Sequence, residues 1–298
     1  MSIKERNKKK SLKKNLVGWL LICPLVIVLY LLIWRPTVIS IIWSFFKMNV
    51  YDPGEFIGFK NYELVISNSQ FLPMLKNTVL YVFWSLVIGF VPPLAIAIML
   101  NEMVYFQKKL RVIIYLPALI PGIAAMLIWT KMYDPSDMGL FNMLLHKLGL
   151  SNYNWLGDPN FTIIGIVIYM TWSSFAGTML LYYASVQGIS TELYEAALID
   201  GAGPLKRCWH VTLPQIMGVV MLNFVRQIIA VFQVLNEPLA MTGGNDRASV
   251  SLALQLYRYL RNQSTIGQAM ALGVIIFLIL MVFTCFYFWV NKKVESNF

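Results

Sequence analysis

Six apolar stretches, roughly 16–36, 74–100, 112–130, 161–186, 216–240 and 268–290, constrain this chain more than any other feature. About 20 mainly apolar residues in a row are what a helix needs to cross a bilayer. In hydrocarbon every backbone N–H and C=O must be satisfied within the protein, which leaves helices as the form for such runs. The composition agrees: 58% of the chain is hydrophobic and 13% is charged, where a soluble domain has about a quarter of its residues charged. The expected class is therefore an all-α membrane protein with six transmembrane helices.

Charge placement sets the orientation. With the N-terminus inside, 1–14, 101–111, 187–214 and 291–298 lie inside and hold 7, 3, 2 and 2 lysines and arginines. The outer segments 47–73, 131–160 and 241–267 hold 2, 2 and 3. Basic residues accumulate on the cytoplasmic side, so both termini are expected there. This placement reads the net charge of +10 as topology rather than as a nucleic-acid surface. The apolar run Leu16–Ile33 follows a basic start, is too long for a signal-peptide core and has no A-x-A site after it; it reads as a retained first span. The expected parts are a basic tail 1–15, a membrane domain 16–290 and a tail 291–298.

Few residues offer catalytic or metal-binding chemistry. Cys23, Cys208 and Cys285 form no CxxC pair, and His146 and His210 are isolated. A disulfide framework, a zinc site and a catalytic cluster are not indicated. Pro36 is expected to bend the first helix, and Pro92, Pro93, Pro117 and Pro121 interrupt the second and third. The outer stretch "YDPSDMGLFNMLLHKLGL" has a Pro/Asp/Gly turn and then the apolar pattern of a short amphipathic helix, and "SVSLALQLYRYLRNQ" reads likewise.

The 187–214 loop is unlike its surroundings. Ser190 or Thr191 can cap a helix whose positive end suits Glu192. "ELYEAALID" continues with helix formers, and Gly201 then Gly203-Pro204 end it. The result is a helix of about two or three turns, with Leu193, Ala196, Ala197 and Asp200 on one face. A weakly apolar face bearing acids fits a protein partner better than anionic lipid.

Glu195-Ala196-Ala197, Asp200-Gly201 and Leu213-Pro214 resemble the EAA motif of the permease subunits of bacterial ABC importers. "RVIIYLPALIPGIAAMLIWTKMYDPSDMGLFNMLLHKLGL", "NWLGDP" and "LAMTGG" resemble the carbohydrate branch, near the maltose and glycerol-phosphate permeases. Cys208 stands where that family usually has an aromatic, and "TGGNDR" replaces its usual glycine-proline continuation. The resemblance implies a type I importer permease fold in the bacterial inner membrane. It makes the 187–214 loop a coupling helix that docks on an ATP-hydrolysing subunit. It implies a second permease in a heterodimer, two ATP-binding subunits, an external solute-binding protein and a carbohydrate substrate, with no cofactor. The chain has no G-x-x-x-x-G-K-[ST] phosphate loop; "GAGPLK" lacks the spacing.

Polar residues inside a membrane are costly and mark function. The fifth stretch holds Asn223, Arg226, Gln227, Gln233, Asn236 and Glu237. On one continuous helix all but Asn236 fall in a stripe about 120° wide. Asn223, Gln227 and Gln233, with Phe232 and, from the fourth stretch, Trp172, are the candidate lining of a sugar path. Packing against a partner permease is the other role open to this stripe, and Arg226 is expected to pair with an acid or backbone. The solute is expected to be a sugar, an oligosaccharide, with glycerol phosphate as the alternative. An ion-coupled carrier would want intramembrane carboxylates or inverted repeats; Glu237 lies near the end of its stretch and no repeat is visible.

Overall fold

The computed structural model describes residues 18–49, 52–103, 105–244 and 247–295. Most of the basic start, the Asn245-Asp246 step of "TGGNDR" and the last three residues lie outside these. Two compact units are present: residues to Ile66 with Tyr259–Phe277, and Ser67–Arg258 with Leu278 onward.

The first unit begins with α1 (Gly18–Trp43). All of 19–36 is exposed, and up to Trp34 it is an apolar surface, which suits contact with lipid. Pro36 does not end the helix. A π-turn at Tyr30–Trp34 precedes it, so Pro36 falls in the first turn of the next α-helical segment. There its missing N–H has no partner to lose.

A feature absent from the all-α expectation follows: a hairpin of β1 (Phe46–Asn49) and β2 (Asp52–Phe56), antiparallel, with a register shift between Phe46 and Met48. The pattern is too short to signal strands by alternation. Asn61 of α2 (Lys60–Ile66) is buried and donates to Ser44 O at 2.8 Å and Phe46 O at 2.9 Å, which fixes the hairpin's root.

The second unit carries the functional residues. Its helices are α3 (Phe71–Glu102), α4 (Gln107–Leu119), α5 (Gly122–Met132), α6 (Leu140–Lys147), α7 (Thr162–Gln187), α8 (Thr191–Ile199), α9 (Pro204–Phe232) and α10 (Asn236–Met241). Helix α11 (Leu252–Arg261) and the long α12 (Ile266–Glu295) run into or out of it. The two short amphipathic helices expected from sequence are α6 and α11.

Among the described residues five helices are long and apolar enough to cross a membrane. The third expected span, 112–130, is a correction: it is not one helix but the pair α4 and α5, bent by 93°. Its physical cause is Pro117 and Pro121, since Ile120 is extended (ψ 128°) just before Pro121, as the residue before a proline prefers. Pro92 and Pro93 act differently. A π-turn at Ser85–Phe90 leads into them and α3 continues. The fifth span is displaced too: α9 starts at Pro204 and ends at Phe232, so the expected range 216–240 is interrupted at Gln233.

Two apolar clusters hold this unit. One joins Tyr81, Trp129, Tyr133, Ile163, Ile166 and Val231; the other joins Ala97, Leu100, Met179, Tyr182, Ile216 and Val220. Helix α7 contributes to both and is more buried than α3. It is the pillar of the bundle. The segment after α10 is strapped to α3: Asn77 donates to Arg247 O and Val250 O at 2.8 and 3.1 Å, Tyr81 to Ser249 O at 3.0 Å, and Leu252 N to Thr78 Oγ1 at 3.0 Å.

Candidate functional site

The EAA-like loop forms the helix its sequence dictates. Helix α8 has 9 residues, with Ser190 at its N-cap and Glu192 in its first turn. The Ser190 side chain makes no capping bond, so the start is held by the backbone alone. The end is a Schellman turn: Gly201 N donates to Leu198 O at 3.0 Å and Ala202 N to Ala197 O at 2.9 Å. Gly201 has φ +70°, the left-handed value that glycine adopts without strain.

This helix has an outer and an inner side. Glu195, Ala196, Asp200, Gly201 and Pro214 are exposed, while Ala197 and Leu213 are half-buried. Leu198, Ile199, Leu205 and Trp209 are also exposed, so exposed acids and apolar side chains lie together here with no partner among the described residues. On the inner side Tyr194 OH bonds Thr212 Oγ1 at 3.0 Å. A crevice of about 430 Å³ lies there, lined among others by Asn101, Glu102, Gln187, Tyr194 and Arg207. Arg207 forms an ion pair with Glu102, the last residue of α3. A third π-turn-to-proline junction, Cys208–Thr212 then Leu213-Pro214, carries the loop into the body of α9.

The polar residues of the fifth stretch meet at the break after Phe232. A cavity of about 450 Å³ is lined by Ser85 of α3, by Tyr169, Thr171, Ser173, Ser174 and Thr178 of α7, and by Arg226, Gln227, Gln233, Asn236 and Glu237. Gly89 of α3 makes this convergence possible: a Cβ there would lie 2.9 Å from Thr171 Oγ1 and 3.4 Å from Gln227 Nε2. Ser85 and Ser174 donate to carbonyls of their own helices at 2.9 and 2.8 Å, leaving oxygen lone pairs for a ligand. The side chains of Arg226, Gln227, Gln233 and Asn236 have no hydrogen-bond or ion-pair partner among the described residues. Donors and acceptors left unpaired in an apolar bundle are costly unless water or a polar solute meets them.

The candidate lining divides. Gln227 and Gln233 face the cavity. Asn223 is buried and donates to Val219 O at 3.0 Å within its own helix. Phe232 is 2% exposed, with its ring 6.3 Å from that of Phe283. Trp172 packs on Trp129 with ring centroids 5.5 Å apart. None of these three lines the cavity. The expected single stripe rests on a continuous helix. The break instead brings in Asn236, the residue that geometry had left out. Three of the α7 hydroxyls were not among the sequence candidates. Thr171, Ser174 and Thr178, spaced i, i+3 and i+7, were a legible signal of a polar face.

Comparison with known proteins bears on the whole chain. The Trehalose/maltose transport system permease protein MalF of Thermococcus litoralis is 32% identical over 286 residues, 95% of this chain and 96% of that one. The Arabinooligosaccharides transport system permease protein AraP of Bacillus subtilis is 30% identical, covering 96% and 90%. In fold, the chain superposes on one chain of the crystal structure of a bacterial ABC transporter involved in the import of the acidic polysaccharide alginate. The TM-score is 0.82, with 22% identity, over 97% of this chain and 99% of that one. The profile of one family spans residues 78–296, which include the broken α4–α5 pair, the EAA-like loop and the polar cavity. The chain belongs to the family of binding-protein-dependent transport system inner membrane components.

Proposed function

We propose that this chain is the permease subunit of an ATP-driven importer that carries a sugar, an oligosaccharide, into the cell. The observation that carries the reading is the cavity at the end of α9. It gathers three side-chain amides and several hydroxyls inside an otherwise apolar bundle. Amides and hydroxyls recognise neutral polyols by exchanging donors and acceptors. A phosphate-bearing solute would want several convergent cations, and Arg226 is the one cation in the lining. The names of the relatives, which include maltose, trehalose and arabinooligosaccharide systems, support the same class.

In this reading the broken pair α4–α5 completes six spans. Residues 16–290 form the membrane domain, and the tails 1–15 and 291–298 are cytoplasmic, as is the loop 187–214. Hydrolysis belongs to two separate ATP-binding subunits, a second permease completes a heterodimer, and an external binding protein delivers the sugar. Glu195, Ala196, Ala197, Asp200, Gly201, Leu213 and Pro214 form the surface that engages the ATPase. Gln227 and Gln233 contact the sugar in the cavity. Asn223, Phe232 and Trp172 support it from behind by holding the surrounding helices.

Glu195→Arg places a cation in the docking surface. It is expected to abolish uptake of the sugar bound by the partner binding protein, with membrane insertion intact. Uptake at the unmodified rate would remove the coupling role of the loop.

A further inference from the structure

We propose that the Arg207–Glu102 ion pair is the strut that carries movement of α8 to α3, and through α3 to the cavity. The inference rests on the reading of α8 as the helix that engages an ATPase. Helix α8 is joined to its neighbours by glycine-bearing turns, Gly188 on one side and Gly201 to Gly203 on the other. Joints of that kind bend under load and transmit little force along the backbone. Side chains must tie α8 to the bundle if its displacement is to reach the membrane helices.

Few ties are available. Tyr194 OH holds Thr212 Oγ1, which connects α8 to the root of α9. Arg207 reaches elsewhere. Its Nη2 pairs with the carboxylate of Glu102, and its Nη1 lies 3.5 Å from the carbonyl of Ala202, in the turn that ends α8. One planar guanidinium thus bridges the exit of α8 and the end of α3. The side chains are 13% and 22% exposed, so solvent screens the pair only in part. Its position also makes electrostatic sense. A carboxylate at a helix C-terminus is repelled by the macrodipole, and the arginine offsets both. Gln107 Nε2 donates to Leu100 O at 2.7 Å and closes the same helix end.

Helix α3 is the member that can use the motion. It runs from Glu102 to Ser85, a cavity-lining residue, over about 25 Å at the usual helical rise. Between them lies the π-turn Ser85–Phe90, with widened hydrogen bonding ahead of Pro92 and Pro93, where a helix flexes. A pull at Glu102 is therefore delivered beside the cavity.

The test needs no identified sugar. The assembled importer, with its ATPase, is purified with Cys23, Cys208 and Cys285 changed to serine and Ser174→Cys as a reporter in the cavity. The probe is a methanethiosulfonate reagent, whose labelling rate is compared in nucleotide-free and ATP–vanadate-trapped states. The strut predicts that Arg207→Ala and Glu102→Ala keep the ATPase bound but shrink the nucleotide-dependent change roughly ten-fold, as loss of a coupling contact does. The exchange Glu102→Arg with Arg207→Glu should restore it. Arg207→Lys, which keeps the charge and loses the second arm, should fall between. An unaltered change in both alanine variants overturns the strut, as does failure of the exchange to restore it in an assembly that retains its ATPase. A parent assembly that contains no ATPase would instead remove the functional reading beneath it.

Discussion

At the scale of single residues, this chain places charge and polarity where each has a use. Arg226, Gln227, Gln233 and Asn236 keep their hydrogen-bonding capacity free in a cavity, whereas Asn223, one turn earlier, spends its amide on its own helix. The sequence marks all of them as polar residues in an apolar run but does not separate the two groups, because the separation depends on where α9 stops. Glu102 and Arg207 were equally invisible as a pair. Each reads as a charged residue at the end of a span, and their contact closes over a gap of 105 in sequence. Away from the membrane helices, Tyr153 donates to the carboxylate of Asp158 and holds it below the usual carboxylate range, with the Asn160 amide assisting. A depressed folded-state pKa contributes stability above the unfolded value, near 3.9. That contribution is lost as pH falls through the lower folded value. Fluorescence of Trp155, whose ring lies 5.0 Å from Tyr153, should therefore change at a pH below 3.9 in an acid titration. The change should vanish in Asp158→Asn; a transition that persists there would mean Asp158 is not its source.

At the scale of elements, proline decides the architecture in two ways. Where a π-turn precedes it, at Pro36, Pro92 and Pro214, the helix absorbs the missing N–H and continues. Where the preceding residue turns extended, at Ile120 before Pro121, the span breaks through 93°. Composition locates both kinds of proline and does not distinguish them, since the outcome depends on whether the local backbone can widen its hydrogen bonding. The short helix α8 was legible in detail because its signals are local: acid at the start, alanines within, glycine at the end. Its N-cap was legible only as a position, as Ser190 leaves the backbone amides to the turn. The Schellman end is open to test. Gly201→Val forces a β-branched residue to φ +70°, a strain of about 1–3 kcal/mol. That is enough to unwind the last turn of so short a helix. Hydrogen exchange should report faster exchange at the amides of Gly201 and Ala202 with α7 unaffected; unchanged protection would mean that the turn is held by something other than its glycine.

At the scale of the whole molecule, the sequence was most informative about class and least about convergence. Apolar runs of membrane length required a membrane protein, and the family match over 78–296 agrees. The cavity, by contrast, is assembled from α3, α7, α9 and α10, and no single stretch records their meeting. The close approach at Gly89 and the break at Gln233 are the local events that create it. The fold therefore has two working ends, a polar cavity and an exposed short helix, connected by α3 and α9. The proposed import calls for separate subunits that hydrolyse ATP. Gentle detergent purification of this chain from its native cell, with every associated protein identified by mass spectrometry, tests that most directly. The account predicts an ATPase bearing a phosphate loop, a second six-span permease and a solute-binding protein. Recovery of the chain alone, or as a homodimer without an ATPase, would contradict it.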